Sequence, residues 1–178
     1  FRRVLFRSVK NRQLTHPKAK DDAQFEPADF AEKGVSPEQK ANVVSPSYVG
    51  FDAYRAKGGY QLAAELEAGK HDVQAIIKAM EDSGLRGLGG AGFPAGRKWR
   101  IVRDQPAPKL MAVNIDEGEP GTFKDRTYLE RDPHRFLEGM LIAAKAVGID
   151  ACYIYLRDEY HGCRELLANE IKIVRAHV

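Results

Sequence analysis

The stretch RGLGGAGFPAGRKW, residues 86–99, places five glycines within fourteen positions and follows them with two cations and the chain's only tryptophan. Glycines let a ligand approach backbone N–H groups closely, which suits an anionic group such as a phosphate. Arg97 and Lys98 add positive charge, and Phe93 offers an aromatic face. The segment is typical of a loop shaped around an anionic, planar ligand, and a mobile loop that closes the preceding helix is the competing interpretation.

Two known phosphate-binding motifs come close to this segment, but neither fits it. Residues 87–92 match G-x-G-x-x-G, but that fingerprint follows a buried strand, whereas HDVQAIIKAMEDSG at residues 71–84 has helical apolar spacing. A Walker loop needs a hydroxyl residue after its lysine, and Lys98 is followed by Trp99. The glycines therefore need another explanation, and we expect Trp99 to be a core residue.

A second polar segment, VNIDEGEPGTFKDR at residues 113–126, follows an apolar run of strand length and carries Asp116, Glu117 and Glu119 within four positions. Ligands of α/β sheets bind at the carboxyl ends of strands, where this segment should lie. A solvated loop whose acids pair with the segment's own cations is the simpler interpretation. Clustered like charges cost stability, however, so we expect these acids to accept hydrogen bonds from a ligand. Flavin mononucleotide, with a phosphate at one end and donors at the other, has the matching charge distribution.

The surrounding elements predict an α/β fold with a parallel sheet and flanking helices. Residues 58–69 and 71–84 are predicted to form two short helices, each closed by glycine. PKLMAVNI at residues 108–115 lacks alternation, which predicts a strand covered on both faces, and residues 151–157 form a second predicted strand. Asp132 opens a helix that runs to about Val147, and a further helix follows the second strand. This alternation predicts a right-handed crossover and a parallel sheet.

Composition excludes several functional classes. The 178 residues carry 28 Lys and Arg against 25 Asp and Glu, with no long run of one sign, so we expect no nucleic-acid binding. The apolar run FLEGMLIAAKAVG is broken by Glu138 and Lys145, and no signal peptide is visible, so we expect a cytoplasmic protein without membrane insertion. Cys152 and Cys163 form no metal-binding motif and are expected to be small buried residues.

The chain divides into three parts by composition. FRRVLFRS, residues 1–8, resembles the translation of a sequencing adapter, so we expect it to be non-native and exclude it from functional reasoning. Residues 9–45 are polar and proline-containing and predict an extended, irregular arm or linker. Residues 46–178 are expected to form the α/β domain. The final residues, KIVRAHV, also resemble a translated adapter, although less closely than residues 1–8 do. Both natural termini are therefore expected to be missing.

Three segments in order and spacing, SGLRGLGGAGFPAGRKW, VNIDEGEPGTFKDR and YIYLRDEYHGC, resemble the N-terminal half of the flavin- and NADH-binding subunit of respiratory complex I. The same module occurs in NAD-reducing hydrogenases and in the β subunit of NAD-dependent molybdenum formate dehydrogenases. The resemblance covers about Tyr54 to Leu167 and implies a Rossmann-like FMN-binding domain. Leu88 stands where the complex I pattern has arginine, and Gly118 where it has serine. At these two positions the chain is more similar to the formate dehydrogenase branch.

The resemblance implies roles for individual residues. Backbone at Gly87, Gly89 and Gly90 would approach FMN, with Ala91 and Gly92 completing the loop and Lys98 supplying positive charge. The flavin's ribityl chain and ring edge would accept and donate hydrogen bonds at Asn114, Asp116 and Glu117. Glu119 would face the nicotinamide, and Phe93 would stack on the adenine of NAD(H). No side chain is marked as a nucleophile or general base, because the cofactor carries the chemistry.

The implied activity is hydride transfer between NAD(H) and FMN, with electrons exchanged with an iron–sulfur cluster. That cluster is expected in a missing C-terminal part, so the chain alone is expected to be inactive or nearly so. The implied partners are an iron–sulfur subunit and a molybdenum formate dehydrogenase subunit, or the peripheral-arm subunits of complex I. A non-catalytic nucleotide-binding or assembly module, whose glycine loop holds only a phosphate, is the alternative of a different class.

Overall fold

A computed structural model describes residues 4–5, 48–88 and 91–178. The predicted arm at residues 9–45 lies outside the described residues. The elements, in chain order, are β1 (Val4–Leu5), α1 (Phe51–Ala56), α2 (Gln61–Glu67), α3 (Val73–Asp82), α4 (Ala95–Arg103), β2 (Leu110–Ile115), α5 (Lys124–Arg131), α6 (Pro133–Val147), β3 (Ala151–Leu156) and α7 (His161–His177).

The sheet has the order β1-β3-β2, and both pairings are parallel. The register between β2 and β3 runs from Leu110 opposite Ala151 to Ile115 opposite Leu156. This confirms the predicted α/β fold with a parallel sheet and flanking helices. Of the segment predicted to be non-native, Val4 and Leu5 are described, and they lie opposite Cys152 and Tyr153 of β3.

The strand β2 differs from its prediction, because one face of it is exposed. Exposed and partly covered residues alternate along the strand until Ile115, which is buried. Met111 and Val113 pack against the hydrophobic core, whereas Leu110 is 60% exposed. The expectation of a strand covered on both faces is therefore wrong for the described residues, since β2 is an edge strand whose opposite face lacks a covering layer there.

The helix α6 forms where its end signals predicted it. The Asp132 side chain accepts a hydrogen bond from the Arg135 N–H at 3.2 Å, and Pro133 occupies the first turn. Gly148 ends the helix with φ at 77°, a left-handed conformation that glycine adopts without strain. The buried face of α6 joins β3 and α7 in one hydrophobic core, which also contains the two predicted buried cysteines.

The helices α1 and α2 attach to α6 and α7 through a buried polar cluster. His134, with no exposed surface, lies with Nδ1 2.9 Å from the Tyr60 hydroxyl and with Nε2 3.1 Å from Glu170 Oε2. Tyr48 donates a hydrogen bond to the same glutamate. Burial lowers the pKa of His134, which keeps the imidazole neutral near pH 7. No helix in the described ranges is long and apolar enough to cross a membrane.

Candidate functional site

The glycine-rich loop, residues 84–94, connects α3 to α4, and hydrogen bonds join its two ends. The Gly87 N–H donates to Phe93 O at 3.0 Å, and the Ala95 N–H donates to Leu85 O at 2.8 Å. The Arg86 guanidinium donates to Gly92 O at 3.1 Å. Main-chain groups and the Arg86 side chain therefore fix the base of the loop. Two of the predicted site residues, Gly89 and Gly90, lie outside the described residues.

The described glycines of this loop leave space beside the backbone. Gly92 has φ at 57°, and a Cβ added there would meet no atom within 4 Å. A Cβ added to Gly87 would have Phe93 O as its nearest atom, at 3.8 Å. Ala91 is exposed. A ligand can therefore approach the main chain at these positions without meeting a side chain.

Phe93, just before α4, and the first turns of α4 present an aromatic and cationic surface. Phe93 is 40% exposed and Ile101 45%, and Arg97 lies between them at helical spacing. The Arg97 guanidinium lies 5.8 Å from the centroid of the Phe93 ring. Lys98 is also exposed, and no carboxylate of the described residues pairs with either cation. With the positive end of the helix dipole beside them, these groups form a surface suited to an anion.

Gly96, which sequence reasoning did not single out, lets α4 pack closely on α3. A Cβ at this buried position would lie 2.6 Å from the Glu81 Cα and nearer still to the Glu81 N. Arg100 then binds the Glu81 carboxylate through two nitrogens, at 2.7 and 2.8 Å. Trp99, predicted to be a core residue, is only half-buried, and α4 packs on α3 and α6. The joint between α3 and α4 sets where the glycine-rich loop begins and ends.

The acidic turn, residues 114–121, follows the carboxyl end of β2 as predicted. The Asn114 Oδ1 accepts a hydrogen bond from the Asp116 N–H at 2.9 Å, which bends the chain out of the strand. The turn ends at Gly121, with φ at 80°. Asn114, Asp116 and Glu119 are exposed, and among the described side chains no cation pairs with Asp116 or Glu119. These three side chains are therefore available to a ligand.

Glu117 differs from its neighbours, because its carboxylate points into the protein. The residue is 2% exposed and accepts hydrogen bonds from the main-chain N–H of Asp125, at 3.0 Å, and of Arg126, at 3.3 Å. The Tyr160 hydroxyl donates to it at 3.2 Å, and the Lys124 ammonium lies 3.6 Å away. Burial alone would raise the pKa of Glu117, but these hydrogen bonds and this cation lower it below its usual value. Glu117 thus caps the first turn of α5 as an anion.

A cleft of about 510 Å³ adjoins β2 and is lined by Asn114 together with side chains of α5 and α6. Its polar lining includes Asp125, Arg131, Asp132 and Arg135. A volume of this size is within the range of small-molecule sites. Asn114 is the predicted site residue that lines it.

The glycine-rich loop and the acidic turn are joined by no hydrogen bond or ion pair among the residues that the structure describes. Their convergence on one ligand stays a prediction. No group of three or more metal-binding side chains occurs in the described ranges. Burial raises the pKa of the Cys163 thiol to about 11, so this cysteine is an inert core residue near pH 7.

Comparison with known families gives one clear match. The profile of the Nuo51 FMN-binding domain, Complex1_51K, matches residues 80–177, which is more than half of the chain. The matched range includes the glycine-rich loop, the acidic turn and the segment from β3 into α7.

Individual relatives agree with this match. An NADH-quinone oxidoreductase subunit of Rhizobium meliloti is 45% identical over 120 residues, covering 67% of this chain and 28% of that protein. An NADH-quinone oxidoreductase subunit of Aquifex aeolicus is 43% identical over 127 residues, covering 71% and 29%. A crystal structure of an air-oxidized NAD+-reducing [NiFe]-hydrogenase aligns with a TM-score of 0.55 at 46% identity, over 60% of this chain and 19% of that chain. The chain thus spans less than a third of the length of these relatives.

Proposed function

The chain belongs to the Nuo51 FMN-binding domain family, and on that premise we propose that it is part of a diaphorase-type flavoprotein subunit that transfers hydride between NAD(H) and FMN. The observation that carries the proposal is the combination, within the matched range, of an open glycine-rich loop and cations on α4 that no described carboxylate neutralises. Relatives named as NADH-quinone oxidoreductase subunits support the same reaction class.

The donor set fits FMN. Open backbone at Gly87 and Gly92, next to Lys98 and the start of α4, suits a phosphate or the edge of a flavin. We propose that Gly89, Gly90 and Ala91 complete this backbone surface. Exposed Asn114 and Asp116 offer an amide donor and carboxylate acceptors, which suit the hydroxyls of a ribityl chain.

The side chains on α4 and the acidic turn suit the dinucleotide. Phe93 is 40% exposed beside the Arg97 guanidinium, and we propose that an adenine stacks on its exposed surface. We place Glu119 toward the nicotinamide, because its carboxylate is exposed and has no cationic partner among the described residues. Bound FMN would supply the ring that exchanges hydride with the nicotinamide. The residues of this chain bind and orient the two cofactors and need not act as acid or base.

We assign Glu117 a supporting place in this site. Its carboxylate is committed to α5 and Tyr160 and has almost no exposed surface. A direct hydrogen bond to the flavin would compete with the cap of α5. Glu117 therefore serves the ligand by fixing the turn that carries Asp116 and Glu119.

We further propose that the chain acts in the cytoplasm within an NAD-dependent formate dehydrogenase, beside an iron–sulfur subunit and a molybdenum subunit. Leu88 and Gly118, at the two positions that differ from the complex I pattern, support this branch. The alternatives are a complex I subunit with peripheral-arm partners and a hydrogenase diaphorase. Formate-dependent NAD+ reduction by the native complex purified through this chain supports the first assignment, whereas quinone- or hydrogen-dependent activity without formate activity contradicts it.

FMN binding tests the proposed function directly. We expect the native subunit that contains this chain to quench FMN fluorescence with a saturable one-to-one titration. Gly89→Val should weaken binding, because a side chain would occupy space that the ligand needs. Gly139→Ala is the matched control, since Gly139 lies in α6 and an added Cβ meets no atom within 4 Å.

The outcomes separate a redox site from an assembly module. Glu119→Gln in the native complex should lower NADH-dependent ferricyanide reduction more than it lowers the FMN content. A Gly89→Val chain that keeps full FMN affinity contradicts the flavin site. Binding of inorganic phosphate without any binding of FMN favours the non-catalytic alternative.

A further inference from the structure

The segment from Leu156 to Tyr160, at the end of β3, lies beside the acidic turn and contacts it. The Arg157 N–H donates to Ile115 O at 3.1 Å, which extends the pairing of β3 with β2 by one residue. The Arg157 guanidinium donates to the main-chain oxygen of Glu117. The same side chain also binds Glu159 at 3.0 Å. Arg157 thereby ties the acidic turn to the neighbouring strand.

Tyr160 binds the side chain of Glu117, whose main-chain oxygen is bound by Arg157. The Tyr160 ring is buried, and its hydroxyl donates to Glu117 Oε2 at 3.2 Å. Two guanidinium groups lie against this ring, that of Arg126 at 5.7 Å and that of Arg157 at 5.8 Å from the centroid. Main chain and side chain of Glu117 are thus both fixed by residues that lie 40 or more positions later in the sequence.

We propose that Tyr160 and Arg157 are positioning residues of the flavin site, which act through Glu117 to hold Asp116 and Glu119 in the pose that binds the ligand. The inference rests on the proposed function, because the turn needs this pose only if it binds a cofactor. Neither side chain is required to touch the ligand. The fixed pose lowers the conformational entropy that the turn would otherwise lose on binding.

The charge balance around Glu117 makes the effect pH-dependent. The groups that face its carboxylate are Lys124 and the main-chain N–H groups of Asp125 and Arg126 of α5, and the Tyr160 hydroxyl before α7. The Arg157 guanidinium after β3 and the Asp125 carboxylate lie nearby, on the Glu117 main-chain oxygen and on Lys124. The Tyr160 hydroxyl is among the groups that lower the pKa of Glu117. Without that hydroxyl the carboxylate takes up a proton at a higher pH, and the protonated form is a weaker acceptor for the N–H groups of α5.

The test is an FMN titration of the native subunit that contains this chain and of three variants of it, between pH 7.5 and pH 3.5. Tyr160→Phe keeps the buried ring and removes only the hydroxyl, and Tyr155→Phe, at an exposed position of β3, is the matched control. We expect Tyr160→Phe to raise the Kd for FMN by about 2- to 10-fold at pH 7.5, the value of one hydrogen bond. We also expect its affinity to fall at a higher pH than that of the wild type. Arg157→Lys should raise the Kd without moving the pH at which affinity falls.

Each outcome decides the proposal. An unchanged Kd in Tyr160→Phe, or the same change in Tyr155→Phe, contradicts it. A loss of affinity that is equal at every pH shows a merely structural role for Tyr160 and also contradicts it. A wild-type native subunit that binds no FMN contradicts the proposed function and removes the positioning claim with it, whereas a wild type that binds beside an unaffected variant contradicts the positioning claim alone.

Discussion

The glycine-rich loop of residues 84–94 is held mainly by main-chain hydrogen bonds and by helix packing, with one side-chain bond from Arg86, whereas the acidic turn of residues 114–121 is held mainly by side chains. In the loop, Gly87 bonds to Phe93 through the backbone, and Gly96 brings α4 onto α3. In the turn, the buried Glu117 carboxylate collects four hydrogen bonds from three residues.

In both regions, the residues proposed to bind the ligand differ from the residues that fix the backbone. The loop is held by backbone groups, by Gly96 and by the Arg86 side chain, so Phe93, Arg97 and Lys98 remain exposed. The turn has three acids of similar appearance, but Glu117 is used for folding while Asp116 and Glu119 stay in solvent. A functional motif therefore need not consist of ligand-binding residues alone.

The largest effect on stability should come from filling the joint beneath the loop. Gly96→Ala places a Cβ 2.6 Å from the Glu81 Cα, so α3 and α4 must separate. We expect a loss of about 1–3 kcal/mol in the free energy of unfolding, measured by urea denaturation. Gly139→Ala, in an open position of α6, should instead stabilise by about 0.5–1 kcal/mol. Equal tolerance of the two substitutions would show that helix packing does not hold the loop.

The next effect should come from the buried acid of the turn. Glu117→Gln removes the charge that caps α5 and turns a donor toward the main-chain N–H groups. We expect a loss of about 1–3 kcal/mol, toward the lower end because one acceptor oxygen remains. Glu119→Gln, two residues later and exposed, should change stability by less than about 0.5 kcal/mol. A larger effect at Glu119 than at Glu117 would reverse the assignment of the two acids.

A pH series sharpens this contrast. The pKa of Glu117 is lowered in the folded chain, so its contribution to stability is present above the unfolded value of 4.5 and is lost as pH falls through the folded value. The difference in urea midpoint between wild type and Glu117→Gln should therefore shrink between pH 7 and pH 3.5. A difference that stays constant over this range would show that the charge of Glu117 does not stabilise the turn.

The smallest effect on stability should be at the exposed aromatic of the loop. Phe93→Ala should change the free energy of unfolding by less than about 0.5 kcal/mol, since the ring is 40% exposed. Binding of NADH, followed by its own fluorescence, should weaken about fivefold through the lost stacking. Leu110→Ala, at a 60% exposed position at the start of β2 and outside the loop, serves as the control for both measurements. Strong destabilisation by Phe93→Ala would mean that this ring holds the loop.

Local signals predicted the parts of the fold that have clear beginnings and ends. The Asp132-Pro133 start and the Gly148 stop define α6, and the apolar runs define β2 and β3. The helix α4 was not predicted, because its glycine and its run of cations obscure the apolar period. Its formation depends on the contact of Gly96 with α3, which is visible only in three dimensions.

The inward direction of Glu117 could not be predicted either. Three acids follow the strand within four positions, and the partners that select one of them, Tyr160 and Arg157, lie beyond the next strand. The same holds for the exposed face of β2, since an apolar run does not reveal whether a second layer covers it. The motifs predicted where along the chain the candidate site lies. Which of its residues are exposed to a ligand and which are buried depends on long-range contacts.

The central claim is that the glycine-rich loop and the acidic turn bind one ligand. Amide hydrogen exchange of the native subunit that contains this chain, with and without saturating FMN, tests it most directly, because both segments report in one experiment. We predict slower exchange on FMN addition at residues 86–98 and at residues 114–119 together, with little change at the opposite end of the sheet near Asp150. Protection of one segment without the other, or of neither while FMN is bound, would contradict the claim.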